Sequence, residues 1–238
     1  MATIAQRLHE VHGRIAQACA AVKRPVESVT LLAVGKTFDA AALREAHAAG
    51  QRAFGENYVQ EALAKTAVLA ELRPRIEWHL IGPLQANKTR EVAAAFDWVH
   101  GIDRLKIAER LSAQRPPALP PLQVCLQVNI SGEPSKSGLQ PGEVAPLAHA
   151  VAALPRLVLR GLMAIPEPAA DHEAQRRPHR ALRELLEALR ARGLALDTLS
   201  MGMSADLEAA VAEGATIVRV GTAIFGARWQ QSNRSKRS

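Results

Sequence analysis

Aromatic side chains are scarce in this sequence, at 3% of 238 residues, with a single tyrosine, Tyr58. The core must therefore be built from Ala, Leu, Val and Ile, and the stacking platforms that single-strand nucleic-acid binders use are missing. Cysteine is nearly absent too. Cys19 falls on an apparent helix and Cys125 inside an apolar run, so a disulfide scaffold is excluded and a buried, reduced pair is expected. Two Cys without clustered His cannot build a structural zinc site, and no His/Cys/Asp group has metal-ligand spacing, so no metal is expected. No run approaches the ~18 apolar residues of a membrane span. The N-terminal MATIAQRLHEVHGR carries charges and His where a signal peptide needs an apolar stretch. A cytoplasmic protein without membrane contact is the expectation.

What is present is the composition of an ordinary globular protein, 48% hydrophobic and 22% charged. The length suits two small domains or one large barrel. Thirty Lys+Arg against 23 Asp+Glu give a net charge of +7. The basic residues are scattered, many beside acids at helical spacing, as in RRPHRALRELLEALRAR. The one uncompensated cluster is the tail Asn233–Ser238, read as a frayed terminus. A modest positive excess suits a small anionic ligand as well as a nucleic acid. With so few aromatics, no nucleic-acid partner is expected.

Ile4, Leu8, Val11, Ile15, Cys19 and Val22 form a helical stripe, and after this leading helix an alternation begins. Short apolar runs at Val29–Val34, Ala53–Asn57, Ile76–Ile81, Trp98–Ile102, Leu122–Ile130, Leu157–Ile165, Thr198–Met203 and Ile217–Phe225 are separated by helical stretches. Continuous rather than alternating apolar runs imply strands covered on both faces, hence a parallel sheet with helices outside. Eight such runs in about 200 residues is the count of a (β/α)8 TIM-type barrel, here with an extra N-terminal helix. A doubly wound open sheet is the alternative. No composition break marks a second domain, and the Pro-rich Arg115–Leu122 is short for a linker. One domain over residues 1–228 and a basic, disordered tail over 229–238 are expected.

In such a barrel function gathers at the C-terminal strand ends. The first strand ends in Gly35-Lys36-Thr37. A P-loop needs a Gly five residues before its second Gly, and position 30 is Thr, so that reading fails. What remains is a lysine at the mouth of a barrel, suited to carbonyl attack and a Schiff base with an aldehyde, or a snorkelling surface lysine. At the seventh and eighth strand ends, Ser204 fits an N-cap for a helix over 205–212. Gly221-Thr222 allows close backbone approach and adds a hydroxyl. With Arg219 these make a candidate anion cradle. His79 reads as a core histidine, Asn57 and Asn129 as strand-end residues that line a pocket or satisfy loops, and Lys88 and Lys136 as loop lysines. No GxSxG elbow occurs.

The segments LLAVGKTF, FGENYVQEAL, WHLIGPLQANK, VNISGEPSKSGL, LRGLMAIP, LSMGMSADLEAAVAEG and VRVGTAIFGAR closely resemble the pyridoxal-phosphate homeostasis protein family. Its members are single-domain relatives of the alanine racemase N-terminal barrel. The resemblance runs in order from about Val29 to Arg228. It implies that Lys36 carries pyridoxal 5'-phosphate (PLP) as an internal aldimine, and that Ser204, Arg219, Gly221 and Thr222 surround its phosphate end. It also implies that Asn57 lies near the pocket and that Lys136 is a secondary cofactor site.

PLP catalyses amino-acid chemistry by drawing electrons into a protonated ring, which a carboxylate supports and an arginine does not. With one tyrosine and no further domain to supply a second base, little or no catalysis is expected. The expectation is a carrier that holds PLP reversibly on Lys36, protects its aldehyde, acts as a monomer and makes transient contact with apoenzymes. The alternative is a racemase- or decarboxylase-like enzyme. Pro178 falls where relatives resemble a continuous helix.

Overall fold

The computed structural model describes residues 2–132 and 137–226. It opens with α1 (Ile4–Ala21), whose N-terminus is closed by reciprocal bonds between Thr3 and Gln6. Eight strands follow: β1 (Thr30–Val34), β2 (Ala53–Glu56), β3 (Glu77–Leu80), β4 (Trp98–Ile102), β5 (Leu122–Gln127), β6 (Leu157–Met163), β7 (Thr198–Ser200) and β8 (Ile217–Val220). Between them run α2 (Ala40–Ala48), α3 (Val59–Val68), α4 (Thr89–Ala95), α5 (Leu105–Gln114), α6 (Pro141–Ala152), α7 (His172–Ala191) and α8 (Leu207–Ala212), with the short α9 (Thr222–Phe225) after β8.

The strands pair in sequence order and close on themselves. β8 joins β1 in parallel, with Thr30 opposite Ile217 and Ala33 opposite Val220. That closure decides for the barrel over the open sheet. The leading helix has a structural role in it. The one-turn α9 leaves the outer face near β8 thinly covered, and α1 packs against α2, α8 and α9 there. Its buried stripe is Leu8, Val11, Ile15, Ala18 and Cys19, while Val22 is exposed beyond its end.

Side chains on each strand divide between two apolar regions, because successive residues face opposite sides. Leu31, Ala33, Phe54, Leu80, Val99 and Val218 join the large layer between strands and helices. Leu32, Val34, Ala53, Ile81, Trp98, Cys125, Met163 and Ile217 fill the bore. Both cysteines are free and buried. The Pro-rich stretch after α5 is not a linker but is stapled down. Arg115 donates to the carbonyls of Ala93, Phe96 and Pro120 at 2.6–2.8 Å.

Local boundaries move: the fifth, sixth and seventh runs are strand only to Gln127, Met163 and Ser200, the chain beyond each entering the loops of the mouth. The eighth run is strand only to Val220, because Gly221 turns the chain and residues 222–225 form α9. The helix expected from residue 205 begins at Leu207, with Asp206 at its N-cap; Ser204 sits two residues before the cap. α7 starts at His172, capped by Asp171, and continues through Pro178, whose neighbours His179, Leu182, Leu186 and Leu189 are buried. The apolar face outweighs the one helical hydrogen bond a proline removes.

Candidate functional site

The inward line of β1 runs Leu32, Val34 and then, two residues on, Lys36. Alternation therefore carries the half-buried Lys36 to the bore side of the mouth. It occupies a tight turn in which the Phe38 N–H donates to the Gly35 carbonyl at 3.0 Å. Thr37 adopts φ +68°, a left-handed conformation that costs a non-glycine residue roughly 1 kcal/mol. The turn is tied down from behind. Lys65 Nζ donates to the Gly35 carbonyl at 2.7 Å, to Glu56 Oε1 at 2.8 Å and to Glu61 Oε1 at 2.6 Å. The same Glu61 oxygen accepts from the Thr37 N–H at 2.6 Å. Gly35 must lack a side chain here, since a Cβ would lie 2.7 Å from Glu56 Oε1 and 2.9 Å from Leu43 Cδ1. Glu56 is fully buried, and burial pushes its carboxyl up to about 7 although Lys65 pulls it down.

On the far side, β8 places Arg219 inward, two residues after the bore residue Ile217. It is 4% exposed rather than at the rim that a strand-end reading suggests. Its guanidinium donates to Ser200 Oγ and to the Ala164 carbonyl, each at 2.8 Å. No carboxylate among the described residues lies at ion-pair distance from it. Burial brings it down to about 10. From Ser200 a polar chain crosses the bore: Ser200 Oγ meets His100 Nδ1 at 2.7 Å, and His100 Nε2 meets His79 Nδ1 at 2.9 Å. Arg219 can only donate, so a chain of donors run from it gives each histidine a neutral ring with the proton on Nε2. Burial lowers both, His79 to about 3 and His100 well below its ordinary value. Trp98 stacks on His79 at 5.3 Å between ring centres.

Beyond Arg219, two glycine turns shape the β7–β8 rim. Gly202 takes φ +91° with its would-be Cβ 2.4 Å from that of Ala210, so α8 packs directly on this loop. Gly221 sits at the cap of α9, half-buried, with Thr222 exposed beside it. Ser204 is half-buried on the same rim, and its carbonyl accepts from Arg14 at 2.9 Å. The β2–β6 side of the mouth is a cavity of about 280 Å³ lined by Asn57, Ile81, Gly82, Gln127, Asn129 and Ile165 among others. Asn57 Oδ1 is buried there without a hydrogen-bond partner. Thus Lys36 and Asn57 occupy the β1–β2 rim, Ser204, Gly221 and Thr222 the β7–β8 rim, and Arg219 the floor between β6 and β8. Lys136 and the tail 229–238 lie outside the described residues.

Sequence reasoning missed His100, Ser200 and the Glu56–Lys65–Glu61 group. His79 and His100 stand at inward positions of neighbouring strands, which alternation from Trp98 would have shown. Lys65 sits with Ala62 and Leu69 on the buried stripe of α3, a charge on an apolar face. That was the available signal.

The alanine racemase N-terminal domain family matches residues 10–229. The pyridoxal phosphate homeostasis protein of Pseudomonas aeruginosa PAO1 is 62% identical over 228 residues, covering 96% of this chain and 97% of its own. That of Escherichia coli K12 is 55% identical over 229 residues, covering 96% and 98%. This chain belongs to the pyridoxal phosphate homeostasis protein family. Among solved structures, PipY of Synechococcus elongatus PCC7942 with PLP bound superposes with a TM-score of 0.77 at 41% identity, over 89% of this chain and all of that one. Alanine racemase from Clostridium difficile 630, at 12% identity and TM-score 0.67, shares the barrel fold. Family membership agrees with the resemblance read from the strand-end motifs.

Proposed function

We propose that this protein binds pyridoxal 5'-phosphate reversibly through Lys36 and serves to hold and buffer the cofactor. The observation that carries the reading is half-buried Lys36 at the rim position two residues beyond the bore residue Val34, above a floor in which the buried Arg219 guanidinium has no carboxylate at ion-pair distance among the described residues. A buried cation whose only nearby carboxylate, among the described residues, acts from beyond ion-pair distance favours an electron-rich or anionic guest. The donor set fits that cofactor: an amine for the aldehyde, turns at Ser204 and Gly221-Thr222 for the phosphate, and the orphaned Asn57 oxygen for a polar substituent. PLP supplies an aldehyde that condenses with amines and a ring that accepts electrons when its nitrogen is protonated.

The chain's own residues support carriage over turnover. Arg219 holds its proton and cannot act as the carboxylate that keeps a ring nitrogen protonated. Tyr58, the single tyrosine, is 59% exposed at the start of α3 rather than packed in the bore. We infer a monomeric, cytoplasmic carrier over residues 1–228 that contacts apoenzymes transiently. Among the described residues no helix is long and apolar enough to cross a membrane. The test is the visible spectrum of the purified protein, followed by borohydride reduction and mass mapping. Yellow protein with pyridoxyl mass on Lys36 is expected. Colourless protein that PLP cannot reconstitute overturns the reading, and turnover of an amino acid that disappears in Lys36→Ala overturns the carrier account.

A further inference from the structure

The layer between strands and helices is apolar almost throughout, yet it contains Lys65 and Glu56 with side-chain exposures of 6% and 0%. Burying such a pair is costly, and apolar residues of similar volume commonly serve stability as well. The bonds the pair makes point to a different use. Lys65 has three short contacts, one to each of two carboxylates and one to the Gly35 carbonyl. Glu61 Oε1 is shared between Lys65 and the Thr37 N–H. Gly35 and Thr37 are the residues on either side of Lys36. The chain is thus gripped immediately before and after Lys36, on the face of the barrel wall opposite the bore. Thr37, held in its left-handed conformation, is the residue that would relax first if the grip were released.

We propose that Lys65, clamped between Glu56 and Glu61, is a positioning residue that fixes the Gly35–Thr37 turn and thereby aims the Lys36 amine into the mouth of the barrel. The consequence for cofactor capture rests on the reading of Lys36 given above; the positioning does not. Glu56 braces Lys65 from the β2 side, in the space that the missing Gly35 side chain leaves free. Glu61, on the first turn of α3, carries the restraint on to Thr37. Lysine capture of an aldehyde is sensitive to this restraint, because misplacing a reacting atom by about 1 Å can cost up to roughly 100-fold in rate.

The test compares the wild-type protein with Glu61→Ala, Glu61→Gln and Lys65→Met, all free of cofactor at first. Trace acetylation with acetic anhydride, read by mass for each lysine, reports the reactivity of Lys36 relative to Lys106. Hydrogen exchange reports the Thr37 amide. In Glu61→Ala and Lys65→Met, Lys36 reactivity is expected to change by about threefold or more and Thr37 exchange to accelerate by about tenfold. In Glu61→Gln, whose amide oxygen still accepts from Thr37, both stay near wild type. With PLP added, the rate of appearance of the visible band and of borohydride label on Lys36 should fall by about tenfold in the first two variants and hold in the third. Should Lys65→Met fail to fold, Glu61→Ala decides, since the Glu61 side chain is 29% exposed. Unchanged Lys36 reactivity and Thr37 exchange in folded Glu61→Ala overturn the proposal, as does Glu61→Gln behaving like Glu61→Ala. If PLP labels no lysine or a different one in the wild type, the cofactor reading fails, while acetylation and exchange still judge the positioning.

Discussion

The bore of this barrel and the layer around it are made of the same strands but obey different rules. The outer layer is mostly Leu, Val and Ala packed against helices, with one buried ion cluster behind the Lys36 turn and another where Arg176, Arg180 and Arg183 of α7 surround Glu213. The bore holds a small apolar plug at one level and a hydrogen-bonded line of Arg219, Ser200, His100 and His79 at another. Polar groups in a closed bore cannot reach water, so each must find a partner or a guest. The contrast teaches that stability resides mainly in the outer layer, while the bore accepts polar cost in exchange for a defined floor beneath the mouth.

That division is testable, and the largest effect should come from Lys36→Ala. It is expected to abolish borohydride-trapped pyridoxyl label while leaving the urea midpoint of the cofactor-free protein nearly unchanged. Leu162→Ala should do the reverse. Leu162 is fully buried in the outer layer, so its truncation is expected to cost about 2–5 kcal/mol in urea unfolding and to leave labelling per folded molecule unaltered. If either variant moves both quantities equally, the two regions are not separable in the way described.

Arg219→Met sharpens the comparison at the floor. Removing a buried cation that has no carboxylate at ion-pair distance among the described residues should weaken PLP retention by roughly 10- to 100-fold, measured by dialysis and absorbance. The same change should cost the cofactor-free protein little stability, since the desolvation of that charge is relieved. Thr222→Val, at the exposed rim, should weaken retention only by about threefold to tenfold, on the scale of one neutral hydrogen bond.

The two regions should also part in their response to acid. His79 is held neutral down to about 3, against an ordinary 6.5, and His100 is lowered in the same sense. The unfolded chain takes up those protons below about 6.5 while the bore refuses them, so their contribution is intact above that pH and is lost as pH falls towards 3. Glu56 behaves oppositely. Raised from 4.5 to about 7, it holds a proton in the folded state that the unfolded chain releases, so it adds stability as pH falls from 7 to 4.5. Two histidines outweigh one carboxylate, and the urea midpoint is expected to drop between pH 6.5 and 4. Glu56→Gln should steepen that drop; a flatter curve would reverse the assignment.

Much of the barrel was legible in the sequence because each strand and helix announces itself locally. Continuous apolar runs such as Leu122–Leu126 mark strands covered on both faces, and the spacing of Leu182, Leu186 and Leu189 marks a helix with one buried side. The strand-end motifs likewise placed Lys36, Asn57, Ser204 and Gly221 on the mouth. Local pattern went wrong where neighbours in space decided the outcome. Ser204 lost the cap position to Asp206, whose carboxylate accepts from the Met203 N–H and from His179. The eighth run ended early because Gly221 turns against the Val34 carbonyl, where a Cβ would come to 3.1 Å.

By itself the sequence determined the period of the elements, the count of strands and the identity of the residues at their ends, since those depend on neighbours a few positions apart. Only the tertiary structure decided that β8 closes on β1, that α1 fills the place left by α9, and that Arg219 lies beneath the mouth rather than on its rim. It alone joined Arg219 to His79, 140 residues earlier, and Lys65 to the turn of Lys36, 29 residues earlier. Such partners meet through barrel shear and burial. Both are properties of the closed sheet, and no short window of chain contains them.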